Sequence, residues 1–504
     1  MQVLKISLFF FIATFLAGCS SSGTNNQPIT GYNNSLYNQE DLSDSISLMN
    51  RDIVDDGNFR VGMLLPLSGE AAKYGQGLKN AALMALDDVK NDNLILQFYD
   101  TQSSSSGARV AAENAIDQNA RLIIGPLMSN SVKAIKNETT YKNVPVLAFS
   151  TDENVLEPQV YSLGLLIDNQ INRIITYAAE HNRSKFALLL PDNKTGIAIA
   201  KAAIVAAQKN NAKVTRIAFY KPDTTDFTES VKSLTDYKIR NGRLRRVKGL
   251  LANPAKNGSV NAQKALKRLD RIQALGDVDF DAVLISESGS RLKSAFAMFG
   301  YYDVYAPKVQ FLGTSVWENT DLTKETMAKG AWYPALSRVH SEYFSNKYSE
   351  IFGEKPYSIF SLAYDAVALS SSLSDKKNNN LNYDLTAPEG YVGINGMFRL
   401  FYNGKNEHSL DIVEITENGD KVINPAPKKF SKNLPDNIIN DEFFDSDDFQ
   451  APRIFGKNTN DAQIALFGKI LDNQYQSQIN NQNSSEEEME IIRKTLRELN
   501  VVIP

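Results

Sequence analysis

Continuous apolar segments alternate with amphipathic segments from residue 59 onward, and this alternation constrains the fold more than any other feature of the chain. Residues 59–67 are almost entirely apolar, and residues 76–89 then place their apolar side chains on one helical face. A strand that is apolar along its whole length is typical of a parallel sheet with helices on both faces. The pattern therefore predicts an α/β fold with doubly wound parallel sheets.

The alternation occurs twice along the chain. We expect further strands of the first set at 94–99, 122–125 and 144–149, and strands of a second set at 186–190, 214–219, 282–285 and 309–312. Two such sheets in one chain predict two lobes with a cleft between them.

The segment 238–272 interrupts this pattern with eleven basic residues and a single acid, Asp270. One interpretation is an arm that binds an anion or a partner. The other is a solvated helical insertion, because apolar residues such as Leu244 and Val247 supply a side on which a helix can pack. The sequence leaves both interpretations open.

The residues from 426 to 504 form a predicted tail of polar and acidic composition. An acidic patch lies at 441–448, and Ser485-Glu486-Glu487-Glu488 has the form of a helix capping box. The apolar residues that follow fall on one helical stripe: Met489, Ile492, Leu496 and Leu499. We expect an amphipathic C-terminal helix that docks on the body or, less commonly, on a partner.

The N-terminus has the layout of an export signal, with a short positively charged start and an apolar run at 6–16. The run is shorter than the roughly 20 apolar residues that cross a bilayer, so it indicates a signal peptide at 1–18. Leu16-Ala17-Gly18-Cys19 resembles the lipobox of bacterial lipoproteins, whose cysteine is lipidated. We therefore expect a lipid anchor on Cys19, with residues 19–58 as a flexible tether to the membrane.

The composition argues against several classes of function. A formal net charge of −4 argues against a nucleic-acid partner. The chain has one cysteine and three widely separated histidines, and these match no metal-ligand spacing, so no metal and no cofactor are expected. It shows no Gly-x-Ser-x-Gly motif, no phosphate-binding loop and no cysteine nucleophile in the mature chain, so we expect a protein that is not an enzyme.

Six short motifs follow one another along the body. They are VGMLLPLSG with YGQG at 61–77, IGP at 124–126, SNS at 129–131, VPVL ahead of Ser150 and Thr151, LGT at 312–314, and GINGMF with Asn403-Gly404. Together they resemble type 1 periplasmic binding proteins of the leucine-binding kind, over about 59–425. This resemblance implies a two-lobed fold whose chain crosses the hinge three times.

The same resemblance implies where each lobe begins and ends. The first lobe is expected at 59–164 and 316–395, and the second at 165–315 and 396–425. The segment 238–272 would then be an insertion in the second lobe.

Four further stretches make the chain similar to lipoproteins called penicillin-binding-protein activators. They are LLLPDN at 188–193, YYDV at 301–304, GAWY at 330–333 and LAYDA at 362–366. This resemblance implies a non-enzymatic regulator of peptidoglycan synthesis that contacts a penicillin-binding protein. It also implies an outer-membrane lipoprotein facing the periplasm of a Gram-negative bacterium, and Ser20 after the cysteine is compatible with that location.

The alternative is an extracytoplasmic solute receptor of an ABC importer, which closes over an amino acid or a related small ligand. An anchor in the outer membrane would separate such a receptor from an inner-membrane permease. Membrane sorting therefore discriminates between the two functions.

The resemblance to leucine-binding proteins also implies a ligand in the cleft. In those relatives, hydroxyls and backbone N–H groups at strand-to-helix turns hold the ligand's carboxylate, because helix N-termini favour anions. The matching positions are Ser68, Ser129, Ser150 and Thr151, with Tyr74 able to shield the ligand and Glu287 placed to meet an ammonium group from the other lobe. The interpretation that Ser129, Ser131 and Ser150 only cap helices stays open.

Asp152, directly after Ser150 and Thr151, argues against an amino-acid ligand. If its side chain points into the cleft, it repels the ligand's carboxylate, and a sugar, a muropeptide or no ligand fits better. If it caps the next turn instead, the objection disappears.

Overall fold

The computed structural model describes residues 56–337, 341–376, 380–430, 449–470 and 485–501. The predicted signal peptide at 1–18, Cys19 and the tether up to residue 55 lie outside these ranges, as does the acidic patch at 441–448. Within the described ranges, no helix combines the length and the apolar character that a membrane-spanning segment needs.

The first lobe is built on a parallel sheet of five strands: β1 Phe59–Leu65, β2 Leu94–Asp100, β3 Leu122–Ile124, β4 Val146–Ala148 and β5 Val160–Ser162. Their order in the sheet is β2-β1-β3-β4-β5. Successive side chains of β1 enter different cores: Met63 packs on one face of the sheet and Leu64 on the other. Both faces are therefore covered, which explains why the strand is almost entirely apolar.

Three helices connect the strands of this sheet: α1 Ala72–Val89, α2 Ser105–Asp117 and α3 Ser129–Tyr141. α2 begins where the side chain of Ser104 accepts a hydrogen bond from the N–H of Gly107 at 3.0 Å, an N-cap that satisfies a free helix donor. A short 3₁₀ helix, Glu153–Val155, lies between β4 and β5.

The second lobe is built on a sheet of eight strands: β6 Lys185–Pro191, β7 Lys213–Tyr220, β8 Ala282–Ile285, β9 Gln310–Leu312, β10 Trp332–Leu336, β14 Leu410–Thr416, β15 Gly419–Asn424 and β16 Arg453–Phe455. Their order in the sheet is β15-β14-β10-β9-β8-β6-β7-β16. The strands β10, β9, β8, β6, β7 and β16 are parallel to one another, each paired with the next. β14 is antiparallel to both of its neighbours, β10 and β15.

Helices cover both faces of the second sheet. Four of them are α4 Ile167–Glu180, α5 Lys194–Lys209, α6 Thr228–Leu234 and α9 Gly289–Tyr301. Between α6 and α9 lie α7 Tyr237–Lys256 and α8 Val260–Leu269, which pack on each other in a separate apolar cluster. Leu188 and Leu190 of β6 pack on the face of α4 and α5, and Leu189 packs on the face of α6 and α9. Short 3₁₀ helices at Ser315–Asn319 and Thr326–Ala328 precede β10.

The chain returns to the first lobe after β10. The returning helices are α10 Ser341–Phe352, α11 Phe360–Ser374 and α12 Leu381–Leu385. α11 packs closely on α1, because Gly77 leaves room for the ring of Phe360: a Cβ at Gly77 would lie 2.0 Å from its Cζ. A small antiparallel sheet of three strands then follows, β11 Tyr391–Gly393, β12 Gly396–Leu400 and β13 Asn406–His408.

The three-crossover hinge is confirmed, but the predicted ends of the lobe segments are wrong in two places. Residues 332–336 pair with β9 and β14 in the second sheet, so the second lobe continues past 316 to about 336. Phe398 and Leu400 of β12 pack in the core of the first lobe, so that lobe continues past 395 to about 408.

The predicted tail also contributes to the second lobe. β16 extends its sheet beside β7, and α13 Thr459–Phe467 packs there through Leu466 and Phe467. The last helix, α14 Ser485–Glu498, buries Ile492 and Leu496 against Leu244 and Val247 of α7. The C-terminal amphipathic helix therefore docks on the basic segment of its own chain.

Candidate functional site

A cavity of about 520 Å³ lies at the carboxyl edge of the first sheet. Its lining residues come from the loops after β2, β3 and β4 and from one distant loop: Ser103, Ser105, Leu127, Met128, Ser129, Asn130, Ser131, Phe149, Ser150, Thr151, Asp152 and Ile359. This is the edge at which α/β proteins bind their ligands. The lining is rich in hydroxyl groups, and Asp152 is its one charged residue.

Three of the six predicted cleft residues, Ser129, Ser150 and Thr151, line this cavity together. Ser129 begins α3 and Ser105 begins α2, so two helix N-termini border the same space. Backbone N–H groups at a helix N-terminus favour an anionic or strongly hydrogen-bonding group.

Helix capping does not account for the serines of α3. The N-cap of α3 is Met128, which makes no side-chain capping bond. Ser131 instead donates to the carbonyl of Ser104 at 3.4 Å, which links the starts of α2 and α3. Ser150 does act locally, since its hydroxyl accepts from the N–H of Asp152 at 3.2 Å.

Asp152 caps the next turn and also lines the cavity. Its Oδ1 accepts from the backbone N–H of Asn154 at 3.1 Å and from the Asn154 side-chain amide at 2.8 Å. These bonds cap the 3₁₀ helix Glu153–Val155. The side chain stays half-buried in the cavity wall, so a negative charge faces any ligand there.

Ser68 and Tyr74 lie outside the cavity lining. Ser68 contacts a lining residue instead: its backbone carbonyl accepts a hydrogen bond from the hydroxyl of Ser103 at 2.7 Å. Its own hydroxyl donates to Asp100 at 2.6 Å. Although burial opposes the charge, this bond and three backbone N–H groups hold the pKa of Asp100 below its usual value. Tyr74 is 41% exposed, with its ring 5.4 Å from that of Tyr357.

Glu287 is bound within the second lobe. Glu287 follows β8 in the chain. Its carboxylate forms an ion pair with Arg291 and accepts a hydrogen bond from the hydroxyl of Tyr220 at 2.7 Å. Burial, and then Glu287 itself, raise the pKa of the Tyr220 hydroxyl far above its usual range. Because of its ion pair with Arg291, the carboxylate of Glu287 already has a cationic partner.

Several lining residues were not predicted from the sequence. Ser103 and Ser105 could have been found, because they lie a few residues after the predicted strand at 94–99, near its carboxyl end. Ile359 could not, because it comes from the loop before α11, more than 200 residues from the rest of the lining. In the described part of the chain, no cluster of three or more His, Cys, Asp or Glu side chains is arranged to hold a metal ion.

Residues 58–370 match the family model described as periplasmic binding protein. The chain belongs to the periplasmic binding protein family. This membership agrees with the two lobes and the hinge, and it indicates a location outside the cytoplasm. Among solved structures, an ABC-type branched-chain amino acid transporter protein from Rhodopseudomonas palustris superposes with a TM-score of 0.55 at 13% identity, covering 75% of this chain and 99% of that one. At this identity the likeness shows the fold alone.

Two curated relatives of this periplasmic binding protein match in sequence. An uncharacterized protein of Rickettsia prowazekii is 22% identical over 176 residues, 35% of this chain and 47% of that protein. The penicillin-binding protein activator LpoA of Haemophilus ducreyi is 34% identical over 96 residues, 19% of this chain and 15% of that protein. The chain thus spans less than half the length of each curated relative.

Proposed function

We propose that this protein is a non-enzymatic lipoprotein of the cell envelope that regulates peptidoglycan synthesis by contacting a penicillin-binding protein. The observation on which the proposal depends is the charge of the cavity: its one ionisable lining residue, Asp152, has the same sign as a ligand carboxylate. Sequence similarity over 96 residues to a penicillin-binding protein activator supports the choice of partner.

An α-amino acid needs a site that accepts a carboxylate and neutralises an ammonium group. Asp152 is held by Asn154 beside the predicted carboxylate site, where two negative charges repel. Glu287, the predicted partner of the ammonium, is already paired with Arg291. Asp152 therefore repels the carboxylate of an amino acid, and the charge of Glu287 is already neutralised by Arg291 rather than by the ammonium group. Both features favour a function that depends on protein contact.

The lipid anchor belongs to the same proposal. A lipid on Cys19 and a tether from 19 to 58 would hold the two-lobed body outside the cytoplasm, at the outer membrane. At roughly 3.3 Å per extended residue, such a tether reaches on the order of 100 Å from the membrane. That reach would allow contact with a synthase that extends from the inner membrane.

The test is a glycan-polymerisation assay with a penicillin-binding protein of the same cell, together with crosslinking in envelope extracts. We expect the chain to increase the polymerisation rate and to crosslink to the synthase. A solute-binding protein of the same fold is the matched control and should do neither. Absence of both the rate increase and the crosslink would overturn the proposal.

The second candidate function is a solute receptor of an ABC importer, and the hydroxyl-lined cavity of about 520 Å³ favours it. Its ligand would be a neutral polar molecule such as a sugar, since Asp152 disfavours an anion. A ligand at 100 times its dissociation constant stabilises a fold by about 2.7 kcal/mol, so thermal shifts with amino acids, sugars and peptidoglycan fragments test this function.

The cavity residues separate the two candidates. Ser129→Ala with Thr151→Ala should abolish any thermal shift if the cavity binds a solute, while Ser372→Ala, an exposed serine near the end of α11, should not. If the protein contact is the function, the double variant should still activate the synthase.

A further inference from the structure

α7 and α8, with the residues up to 272, form a helical hairpin that the sheet itself does not require. α6 already covers the second sheet between β7 and β8 through Val231 and Leu234, and one helix is enough for such a crossover. We call residues 237–272 the basic hairpin. It contains eleven basic residues and one acid, in a chain whose net charge is −4.

Four of the eleven basic residues have a structural role. Arg240 is buried and donates to the carbonyls of Gly276 at 2.8 Å and Tyr302 at 3.0 Å, and Arg243 is also buried. Arg246 pairs with Glu488 of α14 at 3.3 Å, and Lys248 pairs with Asp270 at 2.8 Å.

The other seven basic residues are exposed, and none forms an ion pair within the described residues. They are Lys238, Arg245 and Lys256 of α7, Lys264, Lys267 and Arg268 of α8, and Arg271 after it. This uncompensated positive charge within 34 residues contrasts with the acidic balance of the remaining chain.

The cations of each helix share its outer face. Lys238, Arg245 and Lys256 are spaced by seven and eleven residues, which places them within about 20° of one another around the helix. Gly242 and Gly249 lie on the same face, where an added Cβ would meet no atom within 4 Å. At these two glycines no side chain projects from the helix, so the cations on this face are accessible.

An exposed apolar side chain accompanies the cations of α8. Val260, on the cationic face of that helix, is 59% exposed. Cations mixed with apolar side chains on an exposed helix face are typical of helices that lie on an anionic lipid surface. Clusters of four to eight Lys and Arg residues on such helices bind anionic headgroups, because each cation near the surface is attracted to it.

We propose that the basic hairpin binds the body to the headgroups of an anionic membrane surface. This interaction surface is separate from the cavity and adds a second membrane contact to the lipid expected on Cys19. α14 takes part by positioning the hairpin, since Ile492 and Leu496 pack on its apolar side. An acidic protein is the competing partner, and the experiment distinguishes it.

The experiment measures binding of the full chain, with Cys19→Ser to prevent lipidation, to vesicles of phosphatidylcholine alone and of phosphatidylcholine with 30% phosphatidylglycerol. We expect at least about 100-fold tighter binding to the anionic vesicles, and loss of this preference at high salt because screening weakens charge attraction. Equal binding to both vesicles at low salt would overturn the proposal and would be the result if an acidic protein were the partner.

Two triple variants test the two helices separately: K264Q/K267Q/R268Q on α8 and K238Q/R245Q/K256Q on α7. Each should weaken anionic-vesicle binding on the order of 100-fold, about fivefold for each cation removed. The matched control is K201Q/K324Q/K355Q, which removes three exposed lysines outside the hairpin and should change binding less than threefold.

Helical content by circular dichroism verifies that each variant is folded, and K264R/K267R should retain binding because it keeps the charge. An equal loss in the control and in the hairpin variants would overturn the proposal, because the effect would then come from net charge alone.

Discussion

Lys405 and Asp168 form an ion pair across the hinge, with 3.1 Å between Nζ and Oδ2. Lys405 lies in the turn between β12 and β13, and Asp168 lies in the first turn of α4 in the second lobe. The same ammonium also pairs with Glu153 of the first lobe. Burial, and then Asp168, raise the pKa of Glu153, so Lys405 stabilises two carboxylates that would otherwise repel each other.

Replacing this cation should therefore destabilise the hinge. We expect Lys405→Met to lower the free energy of unfolding by about 1–3 kcal/mol, because two partly buried carboxylates lose their counter-ion. Urea denaturation measures the effect. Lys232→Met is the control, since its pair with Glu229 is exposed and should contribute little. Equal effects of the two substitutions would contradict this account.

Two buried groups near the hinge should give the stability opposite dependences on pH. Burial raises the pKa of Asp365 to about 6, despite hydrogen bonds from the N–H groups of Ile394 and Asn395. The contribution of Asp365 to the free energy of unfolding is present below the usual aspartate pKa and is lost as the pH rises through about 6. Burial lowers the pKa of His408 to about 4. Its contribution is present above the usual histidine pKa and is lost as the pH falls through about 4.

Variants should separate the two effects. In His408→Gln, the free energy of unfolding should fall by roughly 2 kcal/mol between pH 4 and 7, because the pH dependence that comes from Asp365 is no longer offset by that from His408. In Asp365→Asn, it should rise by a similar amount over the same range, because His408 remains. Denaturant titrations at several pH values measure both slopes, and two slopes of the same sign would refute the assignment.

Two helical glycines should respond to alanine in opposite directions. A Cβ at Gly77 would lie 2.0 Å from Cζ of the buried Phe360, so Gly77→Ala should force α1 and α11 apart and cost about 1–3 kcal/mol. A Cβ at Gly242 meets no atom within 4 Å. Gly242→Ala should therefore stabilise the protein by about 0.5–1 kcal/mol through helix propensity. Melting temperatures of both variants check the signs.

The docking of α14 can be tested on its own apolar stripe. Ile492 is 1% exposed, whereas Met489 of the same helix is 37% exposed. Ile492→Ala should increase hydrogen exchange in α14 and in the contacting part of α7, because removing a buried isoleucine costs about 2–4 kcal/mol. Met489→Ala should leave exchange nearly unchanged. Exchange that is equal in both variants would show that the helix does not dock through Ile492.

The strands were predictable where the pattern is local. The run at 59–67 contains β1, and its apolar side chains enter cores on both faces of the sheet. β10 was missed, because Trp332–Leu336 contains Pro334, and proline argues against a strand. Pairing with β9 on one side and β14 on the other places that segment in the second sheet. Pro334 has no N–H to donate there, and only the neighbouring strands decide its position.

The site was predictable only in part. Ser129, Ser150 and Thr151 share one cavity because strand carboxyl ends meet at one edge of a parallel sheet. That Glu287 is neutralised by Arg291 had a sequence signal, the spacing of four residues, but its bond to Tyr220 had none. Such contacts join strands that are far apart in sequence.

The sequence alone determined the α/β class, the two sheets and the amphipathic C-terminal helix, because hydrophobic periodicity specifies which face of each element is buried. The tertiary structure alone decided where the lobes exchange segments, that Ile359 lines the cavity, and that α14 packs on the basic hairpin. An apolar face determines that a helix or strand is buried, but not which other element it packs against. The partner is selected by shape and by the pairing of distant residues, which exist only once the chain has folded.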